Sequence, residues 1–309
     1  MKPINKFMAG LLTIISPVLC ACSDDENLTP GPAFPNYFEV DASDNSPEAQ
    51  LRRGFKERTG IYLLFNDHLA TYTDAYGMIK EETIDFDWNL TSDMEQHYRF
   101  SYLEDQTDKE NVTAMIEKYF LPYINVEGGK FKPYSILIPA TIEIDKYNDD
   151  DWRSKDFLSC WRCFAINAAK WMDIDAEDAR SLSRSLVRSI VDDNLSDSDP
   201  ALDDFYAVSQ EYYDSYPAEA FPGWMDYQDE TLVYEVGFLR YYPDYYGDPD
   251  YDSFPYKSSD FRLFKDAIFN EDEAEFREKW ADYPKIIEKY EILKKIIEDL
   301  GLNLNDVTE

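Results

Sequence analysis

The chain has 309 residues, of which 63 are acidic and 30 basic, giving a formal net charge of −33. That balance excludes a nucleic-acid binder, because phosphate contacts need a basic face. A hydrophobic content of 44% with 16% aromatics excludes a disordered acidic chain and leaves a globular body with ample core.

Residues 1–22, MKPINKFMAGLLTIISPVLCAC, begin with Lys2 and Lys6 and continue in an apolar run from Phe7 to Leu19. The run is too short to span a bilayer and has the layout of a secretion signal. Leu19-Cys20-Ala21-Cys22 resembles a bacterial lipobox. The resemblance implies that 1–21 is a signal peptide and that Cys22 carries the lipid; an ordinary signal with chance cysteines is the alternative. More than one acyl chain makes such an anchor stable. Ser23-Asp24-Asp25-Glu26 is similar to the acidic tag of surface lipoproteins of the Bacteroidetes type, which implies display on the outer face of the outer membrane. Residues 22–47 are rich in Pro, Asn, Asp and Ser and read as a flexible tether, which leaves 48–309 as the folded body.

In the body, Ser46 as cap, Pro47 in the first turn and Gly60 as stop predict a helix. GIYLLF reads as a buried strand, and HYRFSYL alternates like a half-exposed one. A helix is expected from Thr107 to just before Pro122. YSILIPATIEI is strand-like on both sides of Pro139, which makes it an edge or broken strand. From about 152 the pattern predicts helices over 154–172, 176–192, 200–213, 258–269, 271–281 and 283–300. Between them, residues 221–242 mix aromatic and apolar residues and are expected to cross the core. Strands early and helices late indicate one α+β domain.

Several clusters are candidates for chemistry. Cys160 and Cys163 are the thiols left once the leader is removed. With no second pair they cannot build a structural zinc site; they are buried thiols, a disulfide in an exported protein, or a redox pair, for which the βαβ context is missing. His68 and His97 lie outside any His-Glu-x-x-His. Asp248-x-Asp250-x-Asp252 matches the start of a calcium loop without its Gly and its final Glu. The same loop carries Tyr241, Tyr242, Tyr245, Tyr246 and Tyr251, whose rings could stack on a glycan or peptide, or belong to an ordinary surface loop. Finally, Arg180, Arg184 and Arg188 recur every four residues, a stripe along one helix face.

The order of motifs resembles a known family along nearly the whole body. LRRGFKERTGIYLLFND is similar to the opening helix and strand of the substrate import-associated zinc metallohydrolases of Bacteroidetes. YFLPYINVEGGKFKPYSILIPATIEI resembles their next helix-to-strand passage. GFLRYY, KSSDFRLFKDAIFNEDEAEFREKW and IIEKYEILKKIIEDLGLNLNDV resemble their C-terminal third. The resemblance implies a zincin-like metallopeptidase fold, with a small N-terminal sheet and a mostly helical C-terminal half. In this alignment Arg184-Ser185-Leu186-Val187-Arg188 stands where the family has His-Glu-x-x-His, and Leu263 stands where it has a third ligand, Glu. Arginine has no lone pair for zinc, serine is no general base and leucine is no ligand. The expectation is therefore a pseudoenzyme without zinc or other cofactor, accessory to a TonB-dependent nutrient importer. The alternatives are an active zinc hydrolase with atypical ligands, drawing on His68 or His97, and a glycan-binding lipoprotein. Arg184 and Arg188 would either plug the former metal site, paired with Asp192 or Asp260, or lie on a solvated face.

Overall fold

The computed structural model describes residues 35–86, 97–124, 129, 131–145 and 150–304. Residues 1–34, which hold the expected signal, Cys22 and most of the expected tether, lie outside the described residues.

Helix α1, Pro47–Thr59, is bounded as its sequence predicts. The Ser46 hydroxyl accepts from the Ala49 amide at 3.2 Å, and Gly60 ends the helix at φ +73°. The chain then enters β1, Tyr62–Leu64, followed by an antiparallel pair, β2 (His68–Thr73) and β3 (Ile79–Thr83). Strand β4, His97–Tyr102, alternates exposed and half-buried residues. The cap of α2, Gln106–Met115, is Asp105 rather than Thr107, because its carboxylate reaches the amides of Thr107 and Asp108. Nor does that helix end before Pro122. It widens into a π turn over Ile116–Phe120 and continues as α3, Leu121–Ile124, which contains Pro122.

Pro139 breaks the next strand as expected. β5, Ser135–Leu137, and β6, Pro139–Asp145, enter different sheets. The helix expected over 154–172 is replaced by β7 (Arg153–Ser154), β8 (Phe157–Cys160), β9 (Cys163–Ile166) and a 3-10 turn at Ala168–Lys170. The reason lies in burial. Residues of β8 and β9 are covered on both faces, so the run lacks the alternation that betrays a strand. Trp161 and Arg162 form a two-residue turn between strands whose residues pair Phe157 with Ile166 and Cys160 with Cys163.

The main sheet has the order β1-β5-β9-β8, parallel except for β8, the terminal strand, which runs antiparallel to β9. Leu63, Ile136 and Ile166 face the large helical core. Leu64, Leu137, Leu158 and Ala165 join a second cluster with Phe38, Ile84 and Phe86. β6 lies between β4 and β7 in a separate antiparallel sheet.

The rest is helical. It comprises α4 (Ala176–Asn194), α5 (Asp203–Ala207), α6 (Pro217–Ala220), α7 (Trp224–Tyr227), α8 (Glu230–Glu235), α9 (Lys257–Asn270), α10 (Glu273–Lys279) and α11 (Pro284–Asp299). The helix expected over 200–213 is reduced to a 3-10 turn, α5 and a run of turns. Residues 221–242 do cross the core, burying Trp224, Val233 and Phe238. Phe38–Glu309 forms one compact unit of mixed α+β type, with the strands concentrated in its first half.

Candidate functional site

Helix α4 carries the arginine stripe and sets its surroundings. The Asp175 carboxylate caps it, accepting from the amides of Glu177 and Asp178 at 2.9 Å each. Ala179, Ser183, Leu186, Val187, Ile190 and Val191 are buried at helical spacing and fix the inward face. Each residue turns the helix by about 100°. The arginines at 180, 184 and 188 therefore line one flank of the buried stripe, and Ser185, Ser189 and Asp193 line the other.

The second flank borders a cleft of about 800 Å³. Ser185, Ser189, Asp192 and Asp193 of α4 form one wall, and Lys155, Asp156 and the terminal strand β8 form the opposite one. Desolvation raises the Asp193 carboxyl above its ordinary range, with Lys155 opposing. Arg184 and Arg188 do not line this cleft. On α4 the cleft-facing pair with the i, i+4 spacing of zinc histidines is Ser185 and Ser189, not Arg184 and Arg188. A zinc ion fits neither pair, since hydroxyls and guanidiniums do not replace imidazoles. Among the described residues no group of three or more His, Cys, Asp or Glu is arranged to hold a metal ion. Leu263 is half-buried on α9 and is not part of the cleft wall.

The arginines neither plug the cleft nor project freely into water. Arg180 lies 5.7 Å from the Tyr119 ring centroid. Arg184 borders a small cavity with Tyr123, Glu271, Glu273 and Lys294. Arg188 pairs with Asp266 of α9 at 2.5 Å and, more loosely, with Asp192 at 3.9 Å. Asp192 also binds Lys265 of α9. The stripe is thus the polar margin of the contact between α4 and its neighbours, half-buried throughout.

Asp260 is not an arginine partner. It is fully buried on α9 and bound to Lys289 of α11, also fully buried. The Tyr213 hydroxyl donates to Asp260 Oδ2 at 2.5 Å, while Asp260 Oδ1 has no partner among the described residues. Lys289 Nζ also approaches the Tyr213 hydroxyl at 3.3 Å and Ser209 Oγ at 3.4 Å. The rings of Phe205, Phe238, Phe264 and Tyr213 surround it, with centroids 4.6–5.6 Å away. Burial raises the Asp260 carboxyl and lowers the Lys289 amine, moving both toward their neutral forms against their mutual attraction. Gly237 closes this chamber at φ +93°; a Cβ there would lie 2.9 Å from Ser209 Oγ. The sequence signal for the chamber is Lys289 on the apolar stripe of α11, in step with Ile286, Leu293 and Ile297.

The tyrosine loop is ordered by one buried acid. Asp252 accepts from Trp224 Nε1 at 3.0 Å, Gln228 Nε2 at 3.1 Å and the Asp244 amide at 2.9 Å. Its carboxylate is thereby committed to the loop. Tyr245 and Tyr246 stand 92% and 90% exposed, and Tyr251 is also exposed, whereas Tyr241 and Tyr242 are half-buried. The Tyr241 ring packs edge-on against Trp224. Cys160 and Cys163 face each other across the β8–β9 hairpin as buried free thiols, and burial raises both above the usual thiol range. The CxxC is thus a hairpin turn rather than a helical segment. His68 is exposed on β2, its Nε2 2.9 Å from Thr71 Oγ1, and His97 is exposed at the start of β4. Neither borders the cleft.

No helix among the described residues is long and apolar enough to cross a membrane. No family model, curated protein or solved structure matches the chain.

Proposed function

We propose that the protein is a lipid-anchored, surface-exposed outer-membrane protein with a zincin-like body that has lost its metal site. In this reading it works without catalysis, beside a TonB-dependent nutrient importer, and its cleft holds a peptide or glycan. The observation that carries the reading is the cleft wall on α4. It keeps a groove between a long helix and a terminal strand, yet has Ser185 and Ser189 at the ligand spacing and Leu186 after the first of them. A hydrolytic water needs a base and an electrophile, and these side chains supply neither. The leader supports export, and the motif order supports the scaffold.

The test is made on the body purified without its leader. Metal analysis is expected to find no stoichiometric zinc, and peptide substrates are expected to remain uncleaved with zinc added. Stoichiometric zinc whose removal abolishes hydrolysis would instead establish an active hydrolase with atypical ligands. Affinity purification of the lipidated protein from solubilised outer membranes is expected to recover an importer component, and recovery of none would count against the accessory role.

A second reading is favoured by the tyrosine loop. Two nearly fully exposed rings on a loop tied down through Asp252 offer stacking area with little ordering cost. If that loop is the binding surface, Tyr245→Ala with Tyr246→Ala abolishes retardation in polysaccharide affinity gels, while Ser185→Trp in the cleft leaves it intact.

A further inference from the structure

We propose that Lys289 and Asp260 join in an intramolecular isopeptide bond that cross-links α11 to α9. Three features of the chamber converge on it. The Lys289 Nζ and the Asp260 carboxyl are in contact, and both side chains are 0% exposed, so the reacting groups are held together without competing water. Aromatic rings enclose the amine and leave no second carboxylate against it among the described contacts. The Tyr213 hydroxyl touches both partners, Oδ2 at 2.5 Å and Nζ at 3.3 Å, where a proton relay is needed.

The step balances within the chamber. Burial favours the neutral amine and the protonated acid, the forms that condense. The Nζ lone pair attacks Cγ and forms the C–N bond. Tyr213 delivers its proton to Oδ2 as the Cγ–Oδ2 bond breaks, and recovers one from the attacking nitrogen. The products are one amide and one water, with no oxidant, reductant or cofactor. Oδ1, which lacks a partner among the described residues, becomes the amide oxygen, and the new N–H has the Tyr213 hydroxyl oxygen and Ser209 Oγ, 3.3 and 3.4 Å from Nζ, as acceptors. Hydrolysis back would require water to re-enter a chamber closed by Phe205, Phe238 and Phe264.

The experiment is the intact mass of the purified, denatured and reduced protein, followed by tryptic mapping. The expected mass is lower than the sequence mass by one water. The peptides containing Asp260 and Lys289 are expected to stay joined, without cleavage after Lys289. Lys289→Met and Asp260→Ala restore the full sequence mass, and this can be read even from unfolded protein. Tyr213→Phe is expected to slow the loss of water, so that freshly made protein carries the unlinked mass. An unmodified wild-type mass, with trypsin cutting after Lys289, overturns the proposal and leaves a plain buried ion pair.

Discussion

Replacing Lys289 by Met tests what the buried pair does for stability. The substitution keeps the length and apolar stem of the side chain and removes only the amine. Asp260 then stays in the chamber, 0% exposed, with Tyr213 as its one hydrogen-bond donor among the described residues. Breaking a buried pair in this way costs about 3–5 kcal/mol. For a body of this size each kcal/mol corresponds to roughly 2–4 °C, so the midpoint falls by about 6–20 °C. Asp260 moderates the cost by protonating, and the sign of the pH effect follows. A carboxyl whose folded pKa is raised contributes fully below its unfolded pKa near 3.9, and its contribution is lost as pH rises toward the folded value. The variant is therefore expected to lose stability from about pH 4 upward more steeply than the parent. The double variant, Lys289→Met with Asp260→Leu, replaces both charges with apolar groups and is expected to be more stable than the single variant. A covalent link would be absent from both variants, so the gap between them reports the orphaned carboxyl alone. Urea unfolding followed by circular dichroism measures both. A single variant within about 1 kcal/mol of the parent, or a double no better than the single, refutes the reasoning.

Gly237→Ala is expected to cost about 2–3 kcal/mol, since φ +93° is strained for alanine and its Cβ meets Ser209 Oγ at 2.9 Å; a melt within 1 °C of the parent would contradict this. Desolvation opposes ionisation of Glu273, but hydrogen bonds from Lys294 and Arg277 outweigh it and hold the carboxyl below its ordinary 4.5. Glu273→Gln should thus cost up to about 1 kcal/mol at neutral pH, with the deficit vanishing as the parent's carboxylate protonates below pH 4.5; a deficit constant from pH 7 to 3 excludes this origin. Arg188→Ala should cost about 1 kcal/mol or less in thermal unfolding, because its bridges are about one-third exposed; a loss above roughly 3 kcal/mol would restore the buried plug. Cys160 and Cys163 should resist alkylation in native buffer and react together on denaturation, as counted by mass; labelling of either within minutes under native conditions would show an accessible thiolate.

The parts of the fold legible in the sequence are those with local punctuation. Ser46, Pro47 and Gly60 bound α1, and Pro139 divides β5 from β6. The β8–β9 hairpin was not legible, because its pattern is erased by burial on two sides and its turn, Trp161-Arg162, lacks the usual Asn or Gly. The chamber around Lys289 illustrates a different limit. A lysine in phase with Ile286 and Leu293 signals a buried amine, but its partner lies 29 residues away on another helix and only tertiary packing brings them together. The tyrosine loop was legible as a loop. Its rigidity was not, since that depends on Trp224 and Gln228 reaching Asp252 from another segment.

The arginine stripe shows why spacing alone cannot assign a helix face to a site. Four-residue steps drift by about 40° per step, so three arginines cover a wide flank whose direction depends on what the neighbouring helices offer. On α9 the neighbours are Asp266 and Lys265, and together with Asp192 they make an alternating set of charges along the contact. Arg188 is satisfied there and has no reason to turn into the cleft. Neither pair on α4 suits zinc: Arg184 with Arg188 repels a cation, and Ser185 with Ser189 binds one too weakly to hold it. What changes is the meaning of the cleft. Since no guanidinium fills it, the groove between α4 and β8 remains open, with Asp193 and Lys155 at its walls, and an open groove can receive a ligand.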